Sequence, residues 1–156
     1  MSKFFNCLDQ GKFYEVETLK YIKHDTYTFS KGNFKEWDIE VYYNRVPIYY
    51  EVKSETNAFK YGNLCIEYAN NGRTSGIDGT LADYWVHYAI KDKEKNIYDL
   101  FIIPVPNLRQ MIKDKKYLRT MTGGDNKLSK CYLFKMLDLQ KYKINPSNIN
   151  VSSASA

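Results

Sequence analysis

The chain has 156 residues, 44% of them hydrophobic, and 23 Lys and Arg against 18 Asp and Glu leave a net charge of +5. That length and apolar content argue for one domain with a real core and against disorder. No run approaches the roughly 20 apolar residues of a membrane span, and the start MSKFFNCLDQGKFYE lacks a signal-peptide core, so an intracellular, cytoplasmic protein with no membrane association is expected.

In chain order, Asp9–His24 reads as a helix whose apolar positions are Phe13, Val16, Leu19, Tyr21 and Ile22. After a short connection, WDIEVYYNRVPIYYEVKS alternates as two strands, Glu36–Tyr43 and Val46–Ser54, around a tight turn at Asn44-Arg45. A third strand spans Asn63–Tyr68, with Cys65 and Glu67 on one face. Ala69–Gly79 is polar and glycine-rich and reads as a loop, and Thr80–Ala82 as a helical turn. Strands Tyr84–Ile90 and Ile97–Pro104 flank the charged turn KDKEKN. Pro106–Tyr117 reads as a second long helix with Leu108, Met111 and Ile112 inward. Thr120–Lys130 reads as a loop, Cys131–Leu137 as a strand, and Leu139–Tyr142 as a short helix. The domain spans residues 1–144, and the Ser/Asn-rich tail 145–156 is expected to be disordered. Cys7, Cys65 and Cys131 are odd in number and form no CxxC pair, which points to free thiols in a reducing compartment.

The chemistry concentrates in the two-strand segment. Alternation puts Trp37, Ile39, Val41, Ile48, Tyr50 and Val52 on one face and Asp38, Glu40, Glu51 and Lys53 on the other. A two-residue turn sets Asp38 opposite Glu51; a four-residue loop sets Asp38 opposite Lys53 and Glu40 opposite Glu51. A three-residue loop breaks the match of the apolar faces. Paired carboxylates on neighbouring strands repel each other, and a hard cation such as Mg²⁺ between them removes the objection. Lys53 projects from the same face about 6–7 Å beyond Glu51. Two acids and an adjacent ammonium suit phosphodiester hydrolysis, in which the cation activates water and the lysine offsets charge on the phosphate. The plainer alternative is a solvated polar face with ordinary cross-strand salt bridges.

A helix bearing Glu15, then Asp38, then Glu51-Val52-Lys53 resembles the PD-(D/E)XK nuclease superfamily, which includes restriction endonucleases, Holliday-junction resolvases and phage recombination nucleases. The segment GNLCIEYANNGRTSGIDGTLADYWVHY, from Gly62 to Tyr88, looks like phage-type and virus-encoded members. The resemblance covers roughly Gly11 to Pro104 and departs at Trp37, where the motif has proline. It implies an α/β fold with a mixed central sheet flanked by helices, a restriction-endonuclease-like core. It also implies Mg²⁺ or Mn²⁺ held by Asp38, Glu51 and the Val52 carbonyl, with Glu15 completing the site and Lys53 at the scissile phosphate or attacking water. The implied partner is nucleic acid, DNA first; for a virus-encoded protein the compartment is the host cell.

A structure-selective resolvase, for which a homodimer is expected, is one alternative. A nucleic-acid-binding module that keeps the fold without cleavage is the other. Arg73 and the cluster Lys113, Lys115, Lys116 and Arg119 are candidate backbone contacts, although such charges also merely solvate a loop or a helix end. By alternation Glu67 borders the same cleft or is an ordinary hydrogen-bonded strand acid. Glu17 should face elsewhere than Glu15, and His24 and His87 read as packed, hydrogen-bonded residues.

Overall fold

A computed structural model describes residues 7–31, 36–123 and 127–145. The elements in order are α1 (Cys7–Thr18), β1 (Thr26–Phe29), β2 (Ile39–Tyr43), β3 (Val46–Glu55), α2 (Ala58–Tyr61), β4 (Asn63–Asn70), β5 (Arg73–Thr74), α3 (Gly76–Gly79), β6 (Tyr84–Asp92), β7 (Ile97–Pro104), α4 (Val105–Lys113), β8 (Arg119–Gly123) and β9 (Ser129–Lys135). A 3-10 helix (Met136–Tyr142) and β10 (Lys143–Ile144) follow. A six-stranded sheet has the order β1-β2-β3-β6-β7-β10, and a four-stranded sheet has the order β5-β4-β9-β8. The first sheet is mixed: β3 and β6 run parallel, whereas β2–β3 and β6–β7 are antiparallel. A parallel pair needs a crossover, and here that crossover carries α2, β4, β5 and α3.

The mixed sheet is covered on both faces. Ile39, Val41, Tyr50, Val86, Tyr88 and Leu100 form one buried layer with Tyr14 of α1. Trp85, Phe101 and Ile103 point the other way and pack with Leu64, Ile66 and Phe134 of the second sheet and Leu108 of α4. The expected mixed α/β architecture is present, but a second antiparallel sheet supplies much of what the sequence reading gave to flanking helices.

Several boundaries differ from expectation, each for a local reason. α1 stops at Thr18 because Leu19, Lys20 and Tyr21 donate to carbonyls three residues back, a tighter turn than the α-helix. Its buried face is also different: Phe13 and Val16 are exposed, while Tyr14, Glu17 and Thr18 are buried. α4 ends at Lys113, since Lys115 takes a left-handed φ of 55° and Lys116 donates back to the Met111 carbonyl, closing the helix. The expected loop Ala69–Gly79 contains a hairpin, because Asn71 and Gly72 (φ 52° and 74°) join β4 to β5 in a two-residue turn. The one-turn helix is Gly76–Gly79 rather than 80–82. Strand β8 occupies part of the expected loop 120–130. β1, α2 and β10 were not anticipated. The tail from 146 onward and the side chain of Cys7 lie outside the described residues. Among the described residues no helix is long and apolar enough to cross a membrane.

Candidate active site

The turn Asn44-Arg45 has φ of 50° and 66°, both left-handed, the backbone of a two-residue hairpin turn whose twist matches its strands. It fixes the register as Tyr43 opposite Val46 through Ile39 opposite Tyr50. The ladder ends at that pair, so the two-residue alternative holds and the four-residue loop is excluded; Asp38, just before β2, lies close enough to Glu51 for its charge to act on that carboxyl. The Asp38 N–H donates to the Tyr50 carbonyl at 2.9 Å, and the Asp38 carboxylate accepts the Val52 N–H at 2.7 Å. The acid that immediately precedes β2 is thereby clamped to the backbone of β3.

Glu51 is buried, with one carboxylate oxygen 3.4 Å from the Lys53 ammonium and the other 3.2 Å from the Thr80 hydroxyl. Burial, and then the Asp38 charge, push the Glu51 carboxyl up to about 7 against the pull of Lys53 and Thr80. Burial alone would lower the Lys53 pKa, but Glu51, Asp38 and Glu67 outweigh it and hold the ammonium above its ordinary value. Thr80 had no signal in the sequence. It arrives because α3 precedes it and because Arg109 of α4 donates to the carbonyls of Ile77 (3.0 Å) and Thr80 (2.8 Å). α3 in turn rests on Gly76, whose φ is +50° and where a Cβ would stand 2.0 Å from the Glu67 carbonyl oxygen.

Beside Lys53 opens a cavity of about 310 Å³ between the end of β3 and the second sheet. Its polar wall is a set of tethered acids. Glu55 accepts the Cys65 N–H at 2.9 Å and meets His87 Nε2 at 2.9 Å. The Trp85 indole N–H, which can only donate, reaches His87 Nδ1 at 3.1 Å, so Nδ1 accepts and Nε2–H donates to Glu55. Glu67 accepts from the hydroxyls of Ser75 (2.8 Å) and Ser129 (3.1 Å). Cys65 and Cys131 line the same wall as free thiols. Burial, then Glu55 and the neighbouring Cys131, push the Cys65 thiol up to about 12. Burial, then Glu67 and Glu55, carry Cys131 to about 11, against Lys53. These sulfurs stay protonated and act as wall rather than nucleophile.

The structure brings Asp38, Glu51 and Lys53 together and sets Glu67 near them. Glu15 on α1 lies 3.5 Å from Lys12. Among the described residues no three His, Cys, Asp or Glu side chains are grouped as metal ligands would be. Glu17 faces elsewhere, as expected, held by Lys20 at 3.0 Å and by the Tyr98 hydroxyl at 3.0 Å. His87 is the buried, hydrogen-bonded residue expected, and His24 contacts the Ile22 carbonyl. Arg73 is exposed on β5, and Lys113, Lys115, Lys116 and Arg119 are exposed from the end of α4 to the start of β8, the strand that continues to Met121 and Gly123 on the cavity wall. No family model matches the chain, and neither does any curated protein or solved structure.

Proposed function

We propose that this protein is a divalent-metal-dependent nuclease of the PD-(D/E)XK type that hydrolyses phosphodiester bonds of nucleic acid, DNA first. One observation carries the reading: the Asp38 carboxylate is tied to the Val52 N–H, next to Glu51, with the Lys53 ammonium 3.4 Å from the Glu51 carboxylate. Two like charges held close together destabilise a strand pair unless something positive joins them. The donors Asp38, Glu51 and the Val52 carbonyl are all hard oxygens, the set that fits Mg²⁺ or Mn²⁺. A divalent cation held there supplies Lewis-acid charge and makes a coordinated water more acidic.

The remaining roles belong to the chain itself. The Val52 N–H fixes the Asp38 carboxylate, and Thr80 fixes Glu51. Lys53, about a third exposed, stands where an incoming phosphate would meet it and opposes the charge that builds on the phosphoryl oxygens. Arg73 and the cluster Lys113, Lys115, Lys116 and Arg119, all exposed, would neutralise backbone phosphates without reading sequence.

The test is a cleavage panel of linear duplex, single strand, flap, four-way junction and RNA, with Mg²⁺, Mn²⁺ or chelator. Cleavage that needs the metal and is lost in both Asp38→Asn and Glu51→Gln is the expected result. Wild-type rates in either variant, or no cleavage of any substrate, would sink the assignment. Symmetric cutting of the junction alone would favour the resolvase alternative.

A further inference from the structure

Beside the acid pair the chain carries three large apolar side chains that the chemistry just described does not use. Trp37 precedes Asp38, and its ring meets that of Tyr49 with centroids 5.4 Å apart. Strand alternation alone would send Trp37 to the opposite face, but it lies outside β2, which begins at Ile39. Tyr49 is two residues from Glu51 on the same face of β3, about 6–7 Å along the strand. Its hydroxyl is hydrogen-bonded to Glu40, its partner across the hairpin, so the ring is tethered. Both rings are partly exposed.

Leu81 is the third. It is 64% exposed, whereas Thr80 before it and Ala82 after it are buried. Its N–H donates to the carbonyl of Glu36, the residue before Trp37, at 2.7 Å. The backbone on either side is clamped as well. Arg109 donates to the Thr80 carbonyl at 2.8 Å, and Asp83 and Tyr49 exchange two hydrogen bonds, each of 2.8 Å. A leucine on so fixed a backbone stays in water until a partner covers it. Single exposed apolar residues are ordinary, but three mounted on one hydrogen-bonded frame beside an acid pair mark a binding surface.

The occupant follows from what stands next to this lip. In a nucleic-acid strand each base is joined through one sugar to its phosphate. When a phosphate meets Lys53 and the acid pair, a neighbouring base therefore falls on the lip. Aromatic rings suit the flat faces of bases and take any of the four, since every base has a π-face. A base inside a duplex has both faces covered, so only an unpaired or extruded base can use the rings.

We propose that Trp37 and Tyr49, together with Leu81, form a stacking platform for one unpaired base beside the scissile phosphate. The inference rests on the nuclease reading and adds a substrate class to it: single-stranded or locally opened nucleic acid, gripped without regard to sequence.

The test uses the emission of the chain's two tryptophans, of which Trp85 is fully buried and Trp37 is not. The full chain is titrated with single-stranded oligothymidine and with an abasic strand of the same length, with Ca²⁺ replacing Mg²⁺. Oligothymidine should quench the tryptophan emission, and the abasic strand, which offers phosphates without bases, should not. Trp37→Leu should lose the quenching and bind a dye-labelled oligothymidine about tenfold more weakly by anisotropy, within the range of one base–aromatic stack. Leu81→Ser should weaken binding roughly threefold, for the part of one leucine that a base covers. Absence of quenching by oligothymidine overturns the proposal, as does equal quenching by the abasic strand or undiminished affinity in a Trp37→Leu chain that melts like the wild type. Should that variant misfold, the wild-type quenching and Leu81→Ser, a change at an exposed position, decide. Quenching without cleavage of any substrate in Mg²⁺ leaves the platform standing and removes the nuclease reading; cleavage without quenching does the reverse.

Discussion

At the scale of single residues, the roles of Lys53 and the two acids separate cleanly. Lys53→Ala should leave Mn²⁺ binding intact at alkaline pH, where Glu51 is ionised without help, while turnover falls by roughly 10²–10³-fold, the loss typical of one transition-state charge stabiliser. Lys53→Arg should not restore it, because a planar fork does not occupy the position of a point charge. Calorimetric titration beside a cleavage assay reads both quantities, and normal cleavage by Lys53→Ala would reduce Lys53 to a salt-bridge partner. Glu51 adds a pH signature. Its carboxyl sits near 7 instead of the ordinary 4.5, so between those values the folded chain holds a proton that the unfolded chain has released. Glu51 thus favours the fold at low pH, and that contribution is lost as pH rises through about 7. A cation must displace the same proton. Mn²⁺ affinity measured by calorimetry should therefore drop about tenfold per unit below pH ~7 and be flat above it. A flat profile down to pH ~5.5 would mean that Glu51 is not a ligand. Asp38, Glu51 and Lys53 were legible in the sequence because alternation and a two-residue turn leave little freedom in register. Thr80 was not, since its place depends on Arg109, 29 residues away, and on a turn of helix that four residues of sequence barely announce.

At the scale of elements, α3 is the hinge pin of the site. Gly76 has a left-handed φ and no room for a methyl group against the Glu67 carbonyl. Gly76→Ala should cost ~2 kcal/mol or more and, by displacing Thr80, should weaken catalysis in whatever protein still folds. Denaturant midpoints and rates on the same preparation read the two effects, and an unchanged midpoint would contradict the tight packing at Gly76. Other elements show where the sequence misleads. α1 turns Tyr14, Glu17 and Thr18 inward; the Tyr14 ring packs on those of Tyr88 and Tyr98, Thr18 and the Tyr88 hydroxyl are 2.9 Å apart, and Tyr98, itself bonded to Tyr21, donates to Glu17. Hydrophobic periodicity assumes an apolar interface and so selected the wrong face. The β4–β5 hairpin, by contrast, carried its signal openly in Asn71-Gly72, and reading the surrounding polarity as loop concealed it. Strands β8 and β9 were blurred because exposed residues such as Thr120, Thr122 and Lys130 fill positions that polarity alone labels as loop.

At the scale of the whole molecule, what matters is the order in which the chain visits its two sheets. Strands β1–β3 lie in the mixed sheet, β4 and β5 in the second, β6 and β7 in the first again, β8 and β9 in the second, and β10 in the first. This weaving has a consequence for how the protein comes apart. Neither sheet is a contiguous stretch of sequence, so neither can melt while its partner keeps its edges and its share of the common core. Loss of one should bring down the other in a single cooperative transition. Tryptophan fluorescence, which reports Trp85 in the core between the sheets together with Trp37 beside Tyr49, and far-ultraviolet circular dichroism should give the same midpoint in denaturant, and two separated midpoints would contradict this. The same weaving should make folding slow for a chain of this size. The parallel β3–β6 pairing joins residues 34 apart, and β4 must wait for β9, 59 to 72 residues on, before it has its main neighbour. Loop closures of that span place such a chain toward the slower, millisecond-to-second end of single-domain folding. During that wait the carboxylate hairpin, which is local, can form early, and the cavity beside it can exist only at the end.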